Sequence, residues 1–120
     1  MRRLADALDL KLPTIYRLFA NKQVLVDEMA DVIMGNVCCA SRPFADWRDE
    51  TTALARALRG ALLDQRDGAR IVGGSYSARH NTLALADRMV DVAHSHGLRG
   101  ARALWTATTV FCYVLGEVLE

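Results

Sequence analysis

The spacing of apolar residues constrains this chain more than any other feature. From Leu4 to Leu119 they recur at intervals of three and four, and no stretch alternates for the length of a strand. Leu54, Leu58, Ala61 and Leu62 form one such stripe; Leu85, Met89, Val92 and Ala93 form another. Chains patterned this way bury helix faces against helix faces, so the predicted fold class is all-α. Two prolines and eight glycines leave few interruptions. The pattern predicts helices over Arg2 to Leu8, Leu12 to Phe19, Lys22 to about Cys39, Asp46 to about Gln65, Ala69 to Val72, Arg79 to His96 and Gly100 to Glu120. Asn21 is the expected N-cap of the third, and Pro43 breaks the loop at 40–44. Gly97 is the expected stop of the sixth. The inward face of the third is predicted as Leu25, Met29, Val32, Ile33 and Asn36 or Val37. The last helix is apolar nearly all round and must be covered by its own domain, by a partner subunit, or by both.

Several classes are excluded early. At 52% hydrophobic and 24% charged residues over 120, the chain is no disordered tail, and it suits a single core. Three cysteines, two of them adjacent, make neither a disulfide framework nor a CxxC pair, which points to a reducing cytoplasm. Cys38 and Cys112 are expected to be small buried hydrophobes. Arg2 and Arg3 are followed by no apolar run of the signal-peptide kind. The uncharged run between Arg102 and Glu117 is shorter than the ~20 residues that span a bilayer, so no membrane partner is expected. His94 and His96 splay around a helix too widely to share a metal, His80 has no activating neighbour, and Gly73-Gly74-Ser75 lacks a phosphate-loop lysine. Neither an enzyme, a metal nor a cofactor is expected. Arginine far outnumbers lysine and alanine is abundant, the composition of a GC-rich bacterial genome.

The formal net charge is only +1, so a nucleic-acid partner has to be argued locally. Residues 1–22 hold Arg2, Arg3, Lys11, Arg17 and Lys22 against Asp6 and Asp9. The cations sit on two short helices joined at Asp9-Leu10-Lys11, where an aspartate tolerates the left-handed conformation. That is a helix-turn-helix arrangement, whose second helix enters a major groove. Thr14 and Tyr16 suit base edges, and Leu12 and Pro13 suit thymine methyls. Arg2, Arg17 and Lys22 suit phosphates, and Lys11 completes the candidate set. A plain helix pair with solvated charges fits the charge count equally well.

The order of residues separates the two. Arg2, Leu4-Ala5, Leu8, Pro13-Thr14, Tyr16, Phe19 and Asn21-Lys22 together resemble the DNA-binding segment of the tetracycline-repressor (TetR) family. Asp9 stands where that family usually has a turn glycine. Gln65 to Arg70 and Val114 to Glu120 also resemble segments of the tetracycline-repressor type of core. The resemblance implies a DNA-binding head at 1–22, lacking the family's first helix, and a helical ligand-binding and dimerisation core at 23–120, incomplete at its C-terminus. It implies a cytoplasmic, homodimeric repressor that binds double-stranded DNA at a palindromic operator and is released by a small-molecule inducer. A helical ligand-binding or dimerisation module without functional DNA binding is the alternative.

The resemblance also carries over a ligand site. The family's magnesium–tetracycline contacts fall on Cys38, Leu54, Leu58, Val72 and Cys112, and its arginine contact falls near Tyr76; the glutamate alone is kept, as Glu120. Val72 cannot ligate magnesium and Leu54 cannot hydrogen-bond a polar ring. With Trp105, Phe111 and Leu115 as further walls and Thr108 and Tyr113 as polar tips, the implied pocket favours an apolar or aromatic ligand. Each of these side chains is equally compatible with plain core packing.

Overall fold

Side chains that satisfy loose backbone groups set where the helices begin and end. The computed structural model describes residues 1–37, 44, 46–76 and 79–120. Its helices are α1 (Arg2–Ala7), α2 (Leu12–Leu18), α3 (Lys22–Gly35), α4 (Trp47–Asp64), α5 (Gly68–Gly73), α6 (His80–Ser95) and α7 (Ala101–Leu119), and the described residues contain no strand. The all-α expectation holds. The Asn21 side chain accepts from Val24 N at 3.0 Å and opens α3. Asp46 opens α4 in the same way, and the Arg48 backbone N–H holds its carboxyl below the usual carboxylate range. Asp9 and Asp67 take positive φ of 53° and 57° at the corners before α2 and α5. Gly68 follows at a close approach, since a Cβ there would collide with the Leu62 carbonyl. The third helix is shorter than predicted: it ends at Gly35, while Cys38, Cys39 and most of the predicted 40–44 loop lie outside the described residues.

The core forms where α3, α4, α5, α6 and α7 meet. Leu54, Leu58 and Leu62 of α4 face Leu85, Met89 and Val92 of α6, as the stripes predicted. The helix ends show the directions: Arg88 of α6 pairs with Glu50 of α4 at 3.0 Å, and Arg59 of α4 with Glu117 of α7 at 2.9 Å. So α4 runs opposite to α6 and alongside α7. The inner side of α7 carries small residues, Ala103 and Ala107, which let it lie close to its neighbours. Its outer side is open: Leu104, Trp105 and Tyr113 are 55%, 69% and 74% exposed. The molecule measures 52 × 26 × 25 Å, and among the described residues α1 and α2 approach no helix but each other. They therefore sit at one end of α3, with the core at the other.

The inward face of α3 differs from the predicted one. Ala30, Ile33 and Met34 are buried, but so is Asp27 at 5% exposure, whereas Met29 and Val32 point outward. Polar residues turn inward because they hold the segment joining α5 to α6. Gln23 Nε2 donates to Gly74 O at 2.9 Å. Asp27 Oδ1 accepts from Ser75 Oγ at 3.0 Å and Tyr76 N at 3.1 Å. Glu28 pairs with Arg79 at 3.0 Å. Asp31 Oδ1 accepts from Asn81 N at 3.0 Å and Thr82 N at 3.1 Å, while Asn81 Nδ2 donates to Asp31 O at 3.1 Å. Residues at i, i+4, i+5 and i+8 share one helix face, so one side of α3 forms a continuous latch. Gly35 belongs to it, because a Cβ there would stand 2.7 Å from Asn81 Nδ2.

Asp31 does for α6 what an N-cap side chain does, but from another helix: it receives the second and third N–H groups of α6. Asp31→Ala should therefore cost about 1–2 kcal/mol, the usual worth of a cap. Amide hydrogen exchange should speed up at Asn81 and Thr82 far more than at Met89. Asp31→Asn, which keeps an acceptor oxygen, should restore most of the protection.

Candidate functional site

Beyond the start of α3, Ala5 of α1 and Ile15 of α2 are both buried where the two helices meet. Burying Ile15 turns the opposite side of α2 to solvent, and Pro13, Tyr16 and Arg17 lie there together. Pro13 is tolerated because it sits in the first turn. Lys11 just before α2, Arg2 on α1 and Lys22 at the start of α3 are exposed as well; Leu12 and Thr14 are half-buried. Among the described residues, Arg2, Lys11, Arg17 and Lys22 form no ion pair. Four uncompensated cations thus surround a short helix that presents an aromatic hydroxyl and a proline ring.

Two cavities open inside the core, on either side of Met89 and Ala107. The first, about 310 Å³, lies between the start of α4, the end of α6 and the middle of α7, with Trp47, Leu54, Val92, His96 and Val110 among its walls. The second, about 170 Å³, is lined by Met34, Leu85, Leu104, Thr108 and Phe111. A shallow groove on the outer side of α7 holds Trp105 beside Leu98 and Arg102.

The ligand residues carried over from the resemblance do not converge on one cavity. Leu54 lines the first and Thr108 the second. Leu58 and Val72 lie in the solid core, with Leu115 half-buried against it. Tyr76 is 86% exposed, its backbone N–H held by Asp27. Trp105 faces the outer groove, and Tyr113 and Glu120 are exposed. Cys112 is exposed too, contrary to the expected buried thiol, because it sits on the open side of α7. Cys38 lies outside the described residues. Sequence reasoning passed over Trp47 and Thr106 as site residues, placed Met89 in a core stripe, and weighed His96 only as a metal ligand. Trp47 and His96 meet only because α4 and α6 are antiparallel, with ring centroids 4.9 Å apart. Among the described residues no three metal-ligating side chains converge, and no helix is long and apolar enough to cross a membrane.

Residues 41–120 match the family described as tetracyclin repressor-like, C-terminal domain. The chain is 34% identical to the tetracycline repressor protein class G of Vibrio anguillarum, over 99% of its own length and 57% of that protein's. It spans a little over half of that curated relative. Among solved structures, a possible TetR family transcriptional regulator from Streptomyces coelicolor A3(2) superposes with a TM-score of 0.92 at 39% identity, covering 99% of this chain and 59% of that one. The Streptomyces coelicolor protein ActR in complex with actinorhodin gives 0.89 at 27%, covering 100% and 57%. BioQ with its double-stranded DNA operator gives 0.81 at 36%, covering 98% and 70%.

The position of Leu58 separates core from ligand wall. At 1% exposure it lines neither cavity. Leu58→Ala should cost about 2–5 kcal/mol in denaturant unfolding, the range for a deep leucine. Small-molecule affinity should change little under conditions where the variant is folded.

Proposed function

This chain belongs to the tetracycline repressor-like (TetR) family, and on that premise we propose that it is the DNA-reading and ligand-sensing part of a homodimeric transcriptional repressor, which a small apolar or aromatic molecule releases from its operator. One observation carries the reading: α3 bears the cationic helix pair at its start and is latched along one side, from Gln23 to Asp31, to the core elements beside the cavities.

α2 would lie in the major groove, with Tyr16, Thr14, Pro13 and Leu12 toward the bases. Arg2, Lys11, Arg17 and Lys22 would bind phosphates on either side. Lys22 also opens α3, whose free N–H groups favour an anion. The operator complex of BioQ supports this use of the head. A regulator of this kind works in the cytoplasm and catalyses nothing.

Ligand response needs a differential affinity. The inducer must bind the off-DNA arrangement more tightly than the on-DNA one, or no population shifts. The latch supplies a route, since a displacement of α5 or of the start of α6 pulls on Asp27, Glu28 or Asp31 and so tilts α3. The actinorhodin complex of ActR supports an aromatic ligand class. Magnesium–tetracycline fits poorly, because Leu54 and Val72 offer neither the hydrogen bonds nor the metal ligand it would need. Dimerisation would cover the open side of α7, where Leu104, Trp105, Tyr113 and Leu119 make a large apolar patch.

Two measurements test this in the full-length protein. After selection of an operator from random duplexes, Lys22→Ala should weaken all sequences alike and lower the salt slope by about one. Tyr16→Ala should instead erode the preference for the operator. Insensitivity to both changes would favour a ligand-binding or dimerisation module that does not read DNA. Trp105→Glu, a charge placed in the open apolar face, should shift sedimentation from dimer toward monomer at micromolar concentration.

A further inference from the structure

We infer that Lys11 and Lys22 are sites of Nε-acetylation, through which an activated acetyl donor, an acyl phosphate or a thioester, lowers the affinity of the head for DNA without entering the core. The inference rests on the reading that α2 and its flanking cations bind a duplex, and it assigns a regulation to that same surface.

The placement of lysine carries it. Of the fifteen Lys and Arg residues in the sequence, Lys11 and Lys22 alone are lysine. They bracket the reading helix: Lys11 immediately precedes α2, and Lys22 opens α3. The cations that hold the fold are arginines. Each of the five ion pairs among the described residues uses one, Arg48, Arg59, Arg66, Arg79 or Arg88, as suits a planar fork in a fixed pair. Lysine appears only beside α2. Both lysines are exposed, and neither is engaged in an ion pair among the described residues, so both amines are open to a reagent. The difference is chemical as well as positional. A lysine amine can be acylated and so neutralised, whereas a guanidinium stays charged.

In the step, the ammonium gives one proton to solvent and the neutral Nζ attacks the acyl carbon of the donor. An amide C–N bond forms. The bond from that carbon to the phosphate oxygen or the thioester sulfur breaks, and its electron pair leaves with the phosphate or thiol, which takes the second proton. Nothing is oxidised or reduced. With both lysines modified, residues 1–22 keep Arg2, Arg3 and Arg17 against Asp6 and Asp9, and the phosphates at both ends of α2 each lose a counter-charge. The side chains facing the bases are untouched, so all sequences weaken alike.

The test uses the full-length protein and an operator selected from random duplexes. The protein is incubated with acetyl phosphate alone, or with acetyl-CoA and a bacterial cell extract, and its peptides are weighed by mass spectrometry. Acetyl groups should appear on Lys11 and Lys22; the first arm detects a chemical source, and modification in the second arm only marks an enzymatic one. Protein made with Nε-acetyllysine at positions 11 and 22 should bind the operator about tenfold or more weakly, with a salt slope lower by about two per head. The double variant Lys11→Arg, Lys22→Arg, compared with its own untreated sample, should lose no affinity on treatment with acetyl phosphate. Unmodified lysines in both arms, full operator affinity of the acetyllysine protein, or a loss on treatment of the arginine variant would each overturn the inference. Untreated protein that binds no duplex would overturn the reading of the head and this inference with it; untreated protein that binds as tightly as the acetyllysine form overturns the inference alone.

Discussion

Two carboxylates on one side of α3 hold this structure together. Of these, one helical turn apart, Asp27 accepts from Gln23, Ser75 and Tyr76, and Asp31 from Asn81 and Thr82. Asp31 accepts the loose N–H groups of the first turn of α6, and Asp27 accepts the Tyr76 N–H beyond the end of α5. Without them, the segment between α5 and α6 would leave backbone polar groups at the edge of the core unpaired. With them, the side of α3 that carries Asp27 and Asp31 turns inward beside Ala30, Ile33 and Met34.

The rest of the architecture follows from this latch. α6 starts where Asp31 caps it, and that start fixes the register in which Leu85 and Met89 meet Met34 on α3 and the leucines of α4. Gly35 allows Asn81 to lie against α3, so the close approach and the hydrogen bonds support one another. The start of α3, where Lys22 follows the short link from α2, carries α1 and α2.

The packing of the described residues is incomplete in two places. Small residues on the inner side of α7 bring it close, yet two cavities remain around Met89 and Ala107. A solid core of this size would normally close them. On its outer side, α7 exposes tryptophan, tyrosine and leucine that one domain of this size does not cover.

The sequence by itself determined the helices and most of their ends. Asn21, Asp46, Asp67 and Gly97 act through their own neighbours, and local chemistry is legible in order along the chain. The stripes of α4 and α6 were legible for the same reason, since a leucine pattern has one inward side. α3 has two candidate sides, and only the tertiary structure chose between them. It buried Asp27 and turned Val32 outward, because the hydrogen-bond demand that decides the matter comes from residues some fifty positions away. The ligand residues inferred by resemblance scattered among core, surface and cavity for a like cause. Leu58 and Val72 fill space between helices, while Trp47 and His96 become a pair only when antiparallel helices bring their ends together. Spacing along a chain encodes which residues share a helix face; which faces meet is settled by long-range packing and by buried polar groups that must find partners.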